Sequence, residues 1–597
     1  MRSPKEIRFR LRQELNNLRL FAFPTKLQGA SWQPAGIPDP RCVARRLQGS
    51  AFAAQVVIEA EKVLSGKLAL LGFEIEVDHP PRWRRDYVSG IESRLDYFRK
   101  IPYLDARRVG DHKNIWELNR HQHLALFAMA YLFTRRRDFV DECARQLESW
   151  LVENPFLRGI NWTSALEVAF RALSWIWILA WIGDELPADL RSRIVSSLYQ
   201  HGLYLEYNLS VYFSPNTHLL GEAVVLHLLG RFFPDWPKAR AWESYAGRLV
   251  EEQMSFQMQA DGVHFEQSTY YHVYALDFFL LHKIFARSVP AEYDTRLRLG
   301  IEYLRAILGH RWEIPLIGDD DGGRLFHPYG DRPAFGRATM ATGAAVFGIP
   351  AWLRDTADLE EQALWWLGPD VSIKPAPLPA ASHVFIPSGM AVLVHEDVHV
   401  TFDAGPFGWA GAGHSHSDTL SVTMTLGDEE LLVDSGTFTY VGNPTERDIF
   451  RGTGAHNTIR IDGEDQARPA GPFRWLDKPE VKIEASTAED VTAVCRYRGF
   501  THRRRVRVEP DLLHIFDEVE GDGSHLIEQL WHTPLPATRI DETTWRIGSR
   551  ATVTFPIPVE SHAGWRSCVL GRKSPVTVLT ARLQTNLPVK LTTKIRF

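Results

Sequence analysis

The chain has 597 residues, 45% hydrophobic and 24% charged, the proportions of a soluble globular protein too long for one ordinary core. A formal net charge of −5 gives no general attraction to nucleic acid or to anionic membranes, although basic residues gathered in a cleft can still take a polyanion. Cys42, Cys143, Cys495 and Cys568 are scattered without a CxxC spacing, which points to reduced thiols and away from a disulfide framework.

The opening "MRSPKEIRFRLRQELNNLRLFAFPT" is basic but has no apolar core followed by a small-residue cleavage site. The expected location is therefore cytoplasmic as written, or periplasmic or secreted if a signal was removed. Residues 1–110 are read as an N-terminal extension packed on the domain that follows. From about Asp111 to Trp366 the apolar spacing is helical: Leu124, Phe127 and Tyr131, then Phe139, Cys143, Leu147 and Leu151, recur at three- and four-residue intervals. Further helices follow through "TSALEVAFRALSWIWILAWIG", "THLLGEAVVLHLLGRFF" and "YYHVYALDFFLLHKIFARS", joined by turns rich in Pro, Gly, Asn and Asp. Successive antiparallel pairs of this kind predict an (α/α) toroid over residues 111–375. The greasiest run, residues 172–183, has about half the length of a bilayer span, so no membrane segment is expected.

A proline-rich link, "VSIKPAPLPAASHVFIPSG" (371–389), marks a change of character. Beyond it, alternating β-branched segments with turn signals every ten or so residues predict an antiparallel β-sandwich over residues 376–597. The fold class expected is thus multidomain α+β, a helical toroid followed by a sandwich.

Several constellations can carry chemistry. In "GAGHSHSDTLS" (411–421), read as a strand, the period of two puts His414 and His416 on one face. His416, Asp434 of "LLVDSG" and His456 of "TGAHNT" come from three adjacent β segments. They make a plausible His–Asp–His metal set suited to zinc, with manganese or calcium as alternatives, or else polar strand ends bonded to one another. "GDDDGGR" (318–324) fails the calcium-loop pattern because its aspartates are consecutive, and is read as a tight acidic turn. In the helical region "SPNTHLLGE" presents Asn216, His218 and Glu222, and "DGVHFEQSTYYHVY" presents Glu266, Gln267, Tyr270, Tyr271 and His272. "WELNRHQHL" and "NWTSALEVAFR" add Arg120, His123, Trp162, Glu167 and Arg171, of which Glu167 and Arg171 can also simply brace one helix. All lie near helix starts, where the loops of a toroid face a common cleft.

In the order "SPNTHLLGE", "DGVHFEQSTYYHVY", "GHSHSD", "LLVDSG", "TGAHNT", the chain resembles the heparinase II/III-like polysaccharide lyases, including the oligo-alginate lyases, from about residue 110 to at least 470. The resemblance implies β-elimination on a uronic-acid polysaccharide: a glycosaminoglycan such as heparan sulfate, hyaluronan or chondroitin, or alginate. It implies Asn216, with His218 or His414, for the substrate carboxylate, Tyr271 as acid, and Tyr271, His218 or His414 as base. Tyr271 is preferred over Tyr270 because it directly precedes His272. Where several members have adjacent Asn-His this chain reads "NTH", which leaves the division of labour between Asn216 and His218 open. The remaining cluster residues, Arg120, His123, Trp162, Glu167, Arg171, Glu222, Gln267 and His272, are expected to bind substrate. The resemblance also splits the histidine pair: His414 faces the sugar, while His416, Asp434 and His456 hold one structural divalent metal that the elimination itself does not need. The competing readings are a glycoside hydrolase, which needs two carboxylates across the cleft, and a non-catalytic sugar-binding protein. The expected partner is an acidic polysaccharide, favoured by Arg120, Arg171, Arg324 and Arg451; the oligomeric state is left open.

Overall fold

The structure is a computed structural model that describes residues 3–27, 29–330 and 332–597. Four helical hairpins follow one another: Gln122–Thr134 packs on Arg137–Glu153, Ala165–Ile182 on Ala188–Asn208, Thr217–Phe232 on Ala239–Gln257, and Thr269–Phe285 on Ala291–Leu308. The first members of successive pairs touch one another and form an inner row, which Phe335–Phe347 continues. Composition explains the sorting. Ala165–Ile182 is apolar nearly all round and buries every residue but Ala180, whereas Arg137–Glu153 buries one stripe centred on Phe139, Val140, Cys143, Leu147 and Trp150. The ring closes through Ala363–Leu367, which touches both Phe335–Phe347 and Pro40–Leu47, the latter packed on Gln122–Thr134. Residues of the expected N-terminal extension therefore complete the toroid. The apolar stretch Ala165–Glu185 is 21 residues long, more than the run 172–183 suggested, and its greasiness reflects its place inside the ring, where every residue of Ala165–Ile182 but Ala180 is buried.

After residues 371–382, which carry no helix or strand, three large antiparallel sheets follow, with a two-stranded ribbon of Arg468–Pro469 and Trp475–Leu476 beside them. The first is a five-stranded meander, His383–Phe385, Met390–His395, Val398–Asp403, Ser421–Leu426 and Glu429–Leu432. Its last strand runs on to Val433, whose N–H donates to His532 O at 3.0 Å and joins it to a four-stranded sheet. An eight-stranded sheet packs against both. One core unites Phe402 and Met424 of the first sheet, Ile527 and Leu579 of the second, and Val506 and Ile515 of the third, which makes the domain a sandwich.

Ring and sandwich are tied by loops. Trp409 N donates to Phe265 O at 3.2 Å, Asp319 N to His414 O at 2.9 Å, and Asp320 N to Thr437 Oγ1 at 3.0 Å. The last two bonds start in the acidic turn after Ala291–Leu308 and end in sandwich loops, so the cleft between domains is built mostly from loop residues.

Candidate active site

A cleft of about 500 Å³ lies between the N-terminal ends of the inner helices and the sandwich loops. Thr217–Phe232 begins at Asn216, whose Oδ1 accepts from His218 N at 3.2 Å as an N-cap. Its Nδ2 donates to Glu266 Oε1 at 2.5 Å, and Glu266 also accepts from the Thr217 hydroxyl. Thr269–Phe285 begins at Ser268, which caps Tyr271 N at 3.2 Å and donates its own hydroxyl to Asp319 O at 2.6 Å. Those two caps aim His218 and Tyr271 into the cleft.

From the other side His414 meets Tyr271. The two rings stack with centroids 3.8 Å apart, and the Tyr271 hydroxyl lies 3.2 Å from that of Tyr440. His414 Nδ1 is 3.1 Å from Asp319 Oδ2, and its Nε2 is 3.6 Å from Glu266 Oε1. "GHSHSD" lies in the loop between Val398–Asp403 and Ser421–Leu426, so the strand reading of this motif is corrected. His414 and His416 nevertheless converge, because both reach Asp319: His416 Nε2 is 2.9 Å from Asp319 Oδ1. Arg447, on Pro444–Arg451, completes the hub with two bonds to the same carboxylate, one of them at 2.7 Å.

Burial sets the charges. Burial first, then Tyr440 and Asp321, push the Tyr271 phenol well above its usual range, so it keeps its proton. Burial, reinforced by the nearby His414, lowers His218 to about 4 and leaves it neutral at pH 7. Burial also opposes charge on His414, but the bond to Asp319 and the charges of Glu266 and Asp319 outweigh it and raise its pKa. The arrangement holds a protonated phenol, a neutral imidazole and an imidazole favoured as a cation over one cleft. That is a set able to give, take and neutralise.

The fit of a metal rests on two orphaned atoms. His416 Nδ1 and His456 Nε2 are buried without a hydrogen-bond partner, and with the Asp418 carboxylate their ligand atoms lie within 4.8 Å of one another. Two imidazoles and a carboxylate suit a divalent metal. Asp434, expected as a ligand, stands one step back: its Oδ2 lies 2.7 Å from His456 Nδ1, which fixes that ring and turns Nε2 inward. Asp418, the last letter of "GHSHSD", takes its place in the converging group.

Of the expected substrate-binding residues, Arg120 and Glu167 line the cleft but hold each other in a two-bond pair of 2.7 and 2.8 Å. The other six are corrected, since each is used inside the fold. His123 lies 3.0 Å from Gln146, Trp162 is core, and Arg171 faces His201 and Asn161 O. Glu222 accepts from Ser210 N and Oγ, Gln267 donates to Ser388 O, and His272 reaches Gly300 O. Of the basic residues, Arg324 pairs with Glu361 and Arg451 with Asp448, outside the cleft lining.

Tyr440 and Lys113 carry no motif of their own in the sequence, and Asp319 and Asp321 lie within the "GDDDGGR" expected to be only a tight acidic turn. The three consecutive aspartates looked like one turn, yet each is buried against a different cation: Asp319 on Arg447, Asp320 on Arg332, Asp321 on Lys113 at 2.8 Å. Three adjacent carboxylates that a turn would normally leave in water were the available signal.

Residues 90–320 match the family described as heparinase II/III N-terminus, and residues 377–581 match heparinase II/III-like, C-terminal. A heparin-sulfate lyase of Bacteroides stercoris is 22% identical over 71% of this chain and 65% of its own, so the chain spans just under two thirds of that relative. A crystal structure of heparinase III superposes with a TM-score of 0.70 at 16% identity, covering 97% of this chain and 88% of the other. A heparan sulfate lyase of Pedobacter heparinus gives 0.56 at 16% identity, covering 98% and 87%. With both halves matched in order, and the same toroid and sandwich in the structural neighbours, this chain belongs to the heparinase II/III family.

Proposed function

We propose that the protein is a polysaccharide lyase that cleaves uronic-acid-containing glycosaminoglycans by β-elimination, with chains of the heparan sulfate type as first substrate. The observation that carries this reading is the stacked Tyr271–His414 pair, 3.8 Å between centroids, contributed by two domains to one cleft. The proton on C5 of a uronate lies α to a carboxylate and is very weakly acidic while that carboxylate is charged. The site must therefore neutralise the carboxylate, remove the proton and protonate the departing C4 oxygen.

Each task has a residue of the right protonation state. His414 meets the uronate carboxylate, assisted by the Asn216 amide once substrate competes for it with Glu266. Neutral His218 takes the C5 proton, the C4–C5 double bond forms as the C4–O bond breaks, and the Tyr271 hydroxyl gives its proton to the leaving oxygen. When bound, a divalent metal, zinc first among candidates, supplies a fixed positive centre at His416, Asp418 and His456 that braces the loop carrying His414. A hydrolase reading has less support, because Glu222 lies away from the cleft and Glu167 is held by Arg120. The names of the curated relatives support a heparan-type chain as the first polymer to try.

Incubating the protein with heparan sulfate, hyaluronan, chondroitin and alginate tests the proposal. New ultraviolet absorbance from an unsaturated uronate is expected on at least one glycosaminoglycan; reducing ends without absorbance, or no product at all, overturns it.

A further inference from the structure

The helix Pro4–Ala22 lies outside both stretches matched to the family, yet Phe9, Arg10 and Gln13 line the same cleft as Asn216, His218 and Tyr271. Its amphipathicity is inverted for a helix that only packs. Ile7, Leu11, Leu15 and Leu18 are exposed, the last three by more than half. The inward face at helical spacing carries Phe9, Gln13, Asn17 and Leu20. Packing alone would turn the leucines in and the glutamine out.

The helix is also pinned to the segment that delivers Asn216. Asn17 and Asn208 exchange two amide hydrogen bonds of 2.9 Å. Phe9 meets Tyr212 edge-on at 5.2 Å, and Arg99 pairs with Glu14 at 2.9 Å while donating to Asn208 at 3.3 Å. Asn208 ends one helix, and Tyr212 lies in the connection from it to Asn216. Arg10 donates its Nε to Glu6 at 2.8 Å, and its two terminal nitrogens have no hydrogen-bond partner among the described residues. The helix as a whole carries five basic residues against Glu6 and Glu14, in a chain whose net charge is −5.

We propose that Phe9, Arg10 and Gln13, with Arg99 and Tyr212, form a subsite for an acidic group, carboxylate or sulfate, on a sugar unit away from the bond that is broken. The free guanidinium edge matches the two-oxygen geometry of either anion, and the aromatic pair offers an apolar surface for the sugar ring. No hydrogen bond or ion pair joins Arg10 or Gln13 to Tyr271, His414 or Tyr440 among the described residues, so the subsite binds and does not catalyse. This rests on the polysaccharide reading of the cleft.

The test is Arg10→Glu, with the outward-facing Leu15→Gln as control, assayed on a long acidic chain and on the shortest oligosaccharide that is cleaved. Loss of one charged contact is expected to lower kcat/KM on the long chain by about tenfold through KM, with the short substrate and the control unaffected. Equal kcat/KM ratios across chain lengths, or a matching fall in kcat on both, overturn the subsite. Repeating the comparison on a sulfated chain and its desulfated counterpart separates the sources: a penalty confined to the sulfated chain assigns sulfate, an equal penalty assigns carboxylate. If the wild type releases no unsaturated product from any polymer, the lyase reading falls on its own. The subsite is then still decided by calorimetric binding of heparin, where Arg10→Glu binding about tenfold weaker supports it and equal binding overturns it.

Discussion

In the proposed elimination Tyr271 carries two demands that pull against each other: its phenol would stay protonated until a sugar arrives, then release that proton to a leaving oxygen. Burial beside Tyr440 secures the first, and stacking on His414 brings an imidazole against its ring for the second. Tyr271→Phe should keep the fold, since only the hydroxyl contact to Tyr440 is lost, and should reduce turnover by about 10²–10⁴-fold. Circular dichroism and initial rates check this together, and wild-type-like turnover would remove Tyr271 from the chemistry. Asp319 is the other decisive residue, because His414, His416 and Arg447 all bond to it. Asp319→Asn leaves a buried guanidinium without its counter-charge and should cost on the order of 3 kcal/mol in chemical unfolding. An unchanged unfolding midpoint would show that the hub is not a stability centre. The tyrosine and both histidines were legible in the sequence, since each sits in a short polar motif that interrupts an apolar pattern. Asp319 was not, because its value comes from partners 95 to 128 residues away that only the docked domains bring together.

At the level of elements, the inner row owes its order to polar pins as well as to apolar faces. Asp277 of Thr269–Phe285 accepts at 2.7 Å from Thr339 of Phe335–Phe347 and at 3.0 Å from Gln362. Burial raises its carboxyl to about 7, against the lowering effect of those two bonds. A folded-state pKa above the unfolded value favours the protonated form, so its contribution to stability is full below about pH 4 and is lost as pH rises through 7. Asp277→Asn keeps an acceptor oxygen and removes the titration. The stability of the wild type relative to this variant should therefore fall by on the order of 3–4 kcal/mol between pH 4 and 9, and a wild type that gained on the variant over that range would contradict the assignment. In the sandwich, His416 sits on the loop that bears His414, and if the proposed metal braces that loop, His416→Ala should abolish metal binding and cost several degrees of thermal stability. Metal analysis of the purified variant decides it, an unchanged stoichiometry refuting the ligand. Helices and strands could be read from periodicity. The loop conformation of "GHSHSD" could not, because alternating polar residues look alike in a strand and in a loop that wraps a charged hub.

For the whole molecule, ring and sandwich have separate cores, the ring's taking in Met390 and Val392 of the first sheet, and the cleft forms where the two meet. The two-domain order was legible from the proline-rich link and the switch from helical to alternating spacing. The closure of the ring by Pro40–Leu47 was not, because it joins residues more than 300 positions apart in the chain. The same long-range assembly sorts the expected site residues, as helix starts aimed at the cleft keep Asn216, His218 and Tyr271 while Arg171 and His272 turn into the ring. The central claim is that this assembled cleft breaks its substrate by elimination, and the mass of the fragments released from a glycosaminoglycan tests it most directly. Elimination gives fragments in which each cut has added no water, leaving one unsaturated uronate end; fragments heavier by one water per cut, with saturated ends, would contradict it.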